Sequence, residues 1–178
     1  MTTILFTLPA PTVFDESPQR IVGWQSVGIP KLVAHELTTL TPQLRDLDIH
    51  LILSSDLDEQ SARVLARSLY CPNKLWWQLR RFNWGKLHGQ RARKAIKVWS
   101  DMQQKWTTNP DAPVPGGDSL TSYEKRMSAA RARLSKLSGH VTLVIARPQE
   151  IRALTQQPGQ FSLHHLYQWE VPDAPRPA

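Results

Sequence analysis

Three groups of residues have the types and spacing to do chemistry. The first lies in the stretch Ile49 to Leu65, where an apolar run, Ile49-His50-Leu51-Ile52-Leu53, ends in Ser54-Ser55 and is followed by Asp56, Asp58 and Glu59. A run of strand length leading into a helix places this turn at the carboxyl end of a parallel sheet, where ligands bind in α/β proteins. Asp56 or Asp58 is expected to cap the helix, and Ala62, Leu65 and Leu69 to form its buried face. The second group is a basic stretch from Lys74 to Lys105 that includes Arg80, Arg81, Lys86, Arg91, Arg93, Lys94 and Lys97, with Asp101 its only acid. Trp76, Trp77, Trp84, Trp99 and Trp106 fall in or beside it. Cations that neutralise phosphates, interleaved with rings on which bases stack, suit a nucleic acid or another polyanion. A solvated basic face over buried tryptophans has the same pattern. The third group is Cys71, His88, His164 and His165, the isolated nucleophile candidates. In a strand, His164 and His165 point to opposite faces and do not share a metal, so neither metal nor cofactor is expected.

The elements that must position these groups follow from periodicity. Thr3 to Leu8 reads as a short buried strand stopped by Pro9 and Pro11. A helix carrying Leu32, Val33, Leu37 and Leu40 is expected to end at Pro42. Residues 70–90 read as irregular. Ala92, Ile96, Trp99, Met102 and Trp106 recur at helical spacing and predict an amphipathic helix over Gln90 to Lys105, with those residues inside. Asp118 is expected to cap a helix carrying Leu120, Tyr123, Met127, Ala130, Leu134 and Leu137 that Gly139 ends. Val141 to Ala146 is a fully apolar strand, Pro148 opens a short helix through Leu154, and His165 to Val171 is a final strand. Alternating strands and helices predict an α/β fold in three layers, a mainly parallel sheet with helices on both faces. Residues 1–172 are expected to form one domain and 173–178 a Pro-rich tail.

Composition narrows the classes further. The 178 residues, 40% hydrophobic and 21% charged, suit one globular domain. One cysteine leaves no internal disulfide framework, and no apolar run reaches membrane-spanning length. With no basic start and apolar run at Met1 to Ile4, the expected compartment is the cytoplasm, away from membranes. A net charge of +7 favours anionic partners. No Gly-rich nucleotide loop is present.

Several segments, in order, resemble the histidine phosphatase (phosphoglycerate-mutase-like) superfamily. Ile4 to Thr12 stands where that family has its first strand and Arg-His-Gly-Glu-Thr signature. Arg20 to Trp24 resembles its Gly-Trp segment, and Ser54-Ser55-Asp56-Leu57 its second signature. Leu79 to Gly89 is similar to Leu-x-Glu-x-x-Phe-Gly-x-Trp-Glu-Gly, and Pro115 to Ser119 with Arg126 to Pro-Gly-Gly-Glu-Ser and its trailing Arg. Val144 to Arg152 fits the last strand, which in the family ends Ser-His-Gly-Gly-x-Ile-Arg. Leu163 to Pro172 resembles the small-molecule branch that includes α-ribazole phosphatases.

The resemblance implies a phosphoglycerate-mutase-like fold and a phosphate pocket, but the residues standing at its reactive positions are different. That chemistry needs a His nucleophile, an acid for the leaving oxygen and a cationic cage. Pro9 stands at the nucleophile, Leu8 and Glu59 at two cage arginines, Arg81 at the acid and Arg147 at the second His. The expectation is a member without phosphohistidine chemistry that binds a protein partner or a small anion. Glu59, Arg81 and Arg147 are expected to meet in the old pocket, the carboxylate standing in for phosphate. A polyanion binder using Lys86, Arg91, Arg93, Lys94 and Lys97, and a phosphatase of altered mechanism, are the alternatives.

Overall fold

The computed structural model describes residues 2–9, 20–25, 37–137, 139–158, 160 and 166–171. Five strands form one sheet in the order β3-β2-β4-β1-β5: β1 Thr2–Thr7, β2 Ile49–Ser54, β3 Asn73–Leu75, β4 Val141–Ile145 and β5 Tyr167–Val171. The pairs β1–β4, β2–β4 and β2–β3 are parallel, and β5 adds antiparallel to β1. The helices are α1 Thr41–Arg45, α2 Glu59–Leu69, α3 Ala92–Trp106, α4 Leu120–Leu134 and α5 Pro148–Thr155.

Alternation along the strands feeds two cores, as a sheet covered on both faces requires. Leu5, Ile52, Leu143 and Ile145 pack against Leu40 and Leu44 and against Ala62 and Leu65 of α2. Ile4, Phe6, Leu53 and Val144 pack against Met102 and Trp106 of α3, Met127 and Leu134 of α4 and Ile151 of α5. The three-layer, mainly parallel α/β architecture is therefore present.

Four local expectations are corrected. Pro42 opens α1 instead of ending a helix, because proline's missing N–H is no loss in a first turn. Residues 70–90 contain a strand: Tyr70 turns the chain in the left-handed region at φ 52°, and Ile52 N–H to Pro72 O and Trp76 N–H to Ser54 O seat three residues at the sheet edge. The cap of α4 is Ser119, in a reciprocal box with Ser122, and not Asp118. Ile96 of α3 is 72% exposed, whereas Met102 and Trp106 are buried. His164, His165, Leu32, Val33 and the tail 173–178 lie outside the described residues.

Candidate functional site

The three central strands end level with one another: Thr7 pairs with Ile145, and Ile145 with Ser54. Their continuations Leu8-Pro9, Ala146-Arg147 and Ser55 to Asp58 therefore share one crevice at the carboxyl edge of the sheet, and Ala146 N–H donates to Thr7 O at 3.1 Å. Pro9 is buried there and Leu8 is half-buried against the core. Neither supplies a nucleophilic or cationic atom.

After Ser55 the chain makes a 3-10 turn, Asp56–Asp58, before α2 starts at Glu59. This one turn decides which carboxylate enters the crevice. Asp58 faces inward: Ser55 Oγ donates to its Oδ2 at 2.8 Å, and Arg81 Nη2 to its Oδ1 at 2.9 Å. Both partners of this ion pair are buried, with side chains 4% and 5% exposed. Glu59 points away and pairs with Arg63, one helical turn on, at 2.7 Å, its side chain 34% exposed. The expected meeting of Glu59 with Arg81 and Arg147 is thus corrected. The buried face of α2 carries Ser61, Ala62, Leu65 and Ala66, and Glu59 lies at its edge, where its side chain reaches the exposed Arg63.

A second acid fills the crevice from α5. Glu150 is fully buried in the first turn, where its Oε1 accepts from the Tyr123 hydroxyl at 3.0 Å. Burial pushes the Glu150 carboxyl above its ordinary value; the Tyr123 hydrogen bond opposes this, the Asp58 charge adds to it, and Arg147 and Arg81 oppose it. Burial and then the Glu150 charge push the Tyr123 phenol well up, so it remains a donor. Arg81 is thus held by Asp58 in a buried pair, and the charges of Asp58, Arg147 and Arg81 all act on the buried Glu150.

The loop carrying Arg81 is held from behind. Trp24 Nε1 donates to Arg81 O at 2.7 Å, and the buried Arg126 donates to the carbonyls of Gln78, Arg80 and Arg81. Arg126 is fixed by Asp118 at 2.8 Å, whose same oxygen accepts from Asn83 N–H at 2.9 Å. Beside the buried pair, Arg80 grips Asp56 through two hydrogen bonds of 2.7 Å, which hold the Asp56 carboxyl below its ordinary value. Consecutive arginines 80 and 81 thus bind alternate acids 56 and 58, a pattern visible in the sequence once the turn is known to be 3-10.

Of the isolated nucleophile candidates, Cys71 and His88 lie among the described residues. Burial raises the Cys71 thiol. His88 Nδ1 accepts from Gly23 N–H at 2.9 Å, and burial followed by the Arg81 charge lowers its affinity for a proton. Among the described residues no group of three or more His, Cys, Asp or Glu is placed to hold a metal, and no helix is long and apolar enough to cross a membrane. Lys86, Arg91, Arg93 and Lys97 are exposed, and Arg20 is bridged beside Arg91; the side chain of Lys94 lies outside the described part. The tryptophans expected to interleave with them are mostly core: Trp76 and Trp106 are buried, Trp84 and Trp99 stack around Phe82, and Trp77 is exposed.

Comparison with solved structures returns the same fold. YhfR of Bacillus stearothermophilus superposes with a TM-score of 0.76 at 16% identity, over 96% of this chain and 91% of that one. TTHB049 of Thermus thermophilus gives 0.72 at 18% identity, over 96% and 94%. An Escherichia coli protein provisionally assigned as an alpha-ribazole-5'-P phosphatase gives 0.72 at 16%, over 86% and 77%. A search of curated proteins found no match. The sequence profile of the histidine phosphatase superfamily (branch 1) matches residues 16–175, and the chain belongs to that superfamily.

Proposed function

We propose that this chain is a histidine-phosphatase-fold protein that performs no phosphoryl transfer and acts as a binding or regulatory module. The observation that supports the reading is the buried Arg81–Asp58 pair at the carboxyl edge of the sheet, an ion pair at the arginine that the motif resemblance aligns with the family's acid. A guanidinium does not donate a proton at neutral pH. Pro9, at the end of β1, offers no nucleophilic atom. The partner is a protein or a small anion drawn by the net charge of +7.

Incubation of the purified chain with p-nitrophenyl phosphate, 3-phosphoglycerate and α-ribazole 5′-phosphate tests the reading. The expected result is no turnover above a buffer blank. Turnover that scales with protein and disappears in His88→Ala would establish a phosphatase of altered mechanism instead.

A second reading, a polyanion binder, is favoured by one observation: the Arg20–Arg91 bridge brings a cation from a distant segment to the exposed Lys86, Arg91, Arg93 and Lys97. It requires affinity for single-stranded nucleic acid that falls steeply as salt rises.

A further inference from the structure

We infer that the cleft between α3, α4 and α5 is a binding site for a small aromatic carboxylic acid. The site shares only Tyr123, the donor to Glu150, with the groups described at the strand ends, and the inference holds whether or not that crevice is catalytically silent. Its volume is about 540 Å³, in the range of small-molecule sites. None of Pro9, Asp58, Arg81 and Arg147 lines it.

One wall is aromatic. The half-buried Trp99 offers the ring face, backed edge to face by the buried Phe82 at a centroid distance of 6.3 Å, with the buried Tyr123 and Met127 of α4 behind. Such a wall accepts a flat ring by offset or edge-on packing. Beyond Trp99 the cleft adjoins an apolar notch of about 270 Å³, also bounded by Trp84 and Ile96. This notch gives a role to Ile96, a 72% exposed isoleucine that no packing within the described residues accounts for.

The opposite rim is polar, with Ser128 and Arg131 from α4 and Gln149 and Gln156 from α5. Arg131 sets the ligand's charge. Its guanidinium lies 5.8 Å from the Trp169 ring centroid, and among the described residues no carboxylate forms an ion pair with it. A planar guanidinium beside amide donors matches a carboxylate held through two oxygens. Glu124 on the same rim disfavours a doubly charged phosphate relative to a singly charged carboxylate. A flat apolar body against Trp99 and one carboxylate toward Arg131 is the ligand that these features share.

Titration of the full chain with 2-naphthoate, followed by calorimetry and tryptophan fluorescence, tests the inference. The expected result is saturable binding at one site. Ser128 is exposed on α4, so Ser128→Trp blocks the cleft without entering the core and is expected to abolish binding. Arg131→Gln is expected to weaken 2-naphthoate about tenfold while leaving the neutral 2-naphthamide unchanged. Circular dichroism checks that both variants fold. The inference is overturned by a parent that does not saturate, by unchanged binding in Ser128→Trp, or by equal loss of acid and amide in Arg131→Gln. Tighter binding of 2-naphthyl phosphate than of 2-naphthoate would overturn the carboxylate assignment.

Discussion

Arg81 and Asp58 form a buried ion pair across the carboxyl edge of the sheet, Nη2 to Oδ1 at 2.9 Å, with Ser55 completing the shell of the aspartate. A charge removed from water in this way is stable only with its partner in place. Asp58→Asn is therefore expected to cost about 3–5 kcal/mol of unfolding free energy, because it removes the charged half of the Arg81 ion pair from a buried site. Glu59→Gln loses only a wet pair one helical turn apart and is expected to cost about 0.5 kcal/mol or less. Urea titrations of the two variants decide the matter. If Glu59→Gln proved the more damaging, the assignment of the inward carboxylate would be wrong.

That contrast marks the limit of what was legible in the sequence. The strand ending in Ser54-Ser55 and the following helix were readable from apolar runs. Which acid turns inward was not, because a 3-10 turn at Asp56–Asp58 rotates each side chain relative to an α-helix begun there. Glu150 was missed for a different reason. An acid in the first turn of a helix reads as a solvated complement to the dipole, and only the approach of Tyr123 from a separate helix shows it to be internal. The short strand Asn73–Leu75 has no apolar alternation to reveal it, and is made by hydrogen bonds to β2.

Glu150 gives the site a pH dependence. Its folded-state affinity for a proton is raised, chiefly by burial. The protonated acid is thus favoured in the folded chain, and its contribution to stability is full below the unfolded value of about 4.5 and is lost as pH rises through the folded value. Glu150→Gln keeps an acceptor for Tyr123 and removes the ionisation. The variant is expected to gain stability relative to the parent as pH rises from about 4 to about 8. Thermal unfolding across that range checks the sign; a relative loss on raising pH would mean that Arg147 and Arg81 outweigh burial.

Helix α3 separates core from surface more sharply than its spacing suggested. Trp106 is buried and donates its Nε1–H to Ala112 O at 2.7 Å. Trp106→Ala is expected to cost about 3–5 kcal/mol. Ile96→Ser, on the same predicted apolar stripe but exposed, is expected to change stability by about 0.5 kcal/mol or less. Matched denaturation curves distinguish a surface isoleucine from a core one.

Asp118 and Arg126 form a strut that holds the Arg81 loop. Asp118 was expected to cap α4, and a lost cap costs about 1 kcal/mol. The structure gives that task to Ser119 and uses Asp118 to anchor Arg126 and Asn83 N–H. Arg126 is buried and donates to three carbonyls of residues 78 to 81, so its position fixes the backbone from which Arg81 reaches Asp58. Asp118→Asn leaves that buried guanidinium without its counter-charge and is expected to cost about 3 kcal/mol or more, against about 1 kcal/mol for Ser119→Ala. A second readout separates strut from cap. Amide hydrogen exchange in the 76–83 loop should accelerate in Asp118→Asn, because the carbonyls it holds through Arg126 are released. In Ser119→Ala the acceleration should be confined to the first turn of α4. If both variants exchanged alike, confined to the helix start, Asp118 would be no more than part of the cap.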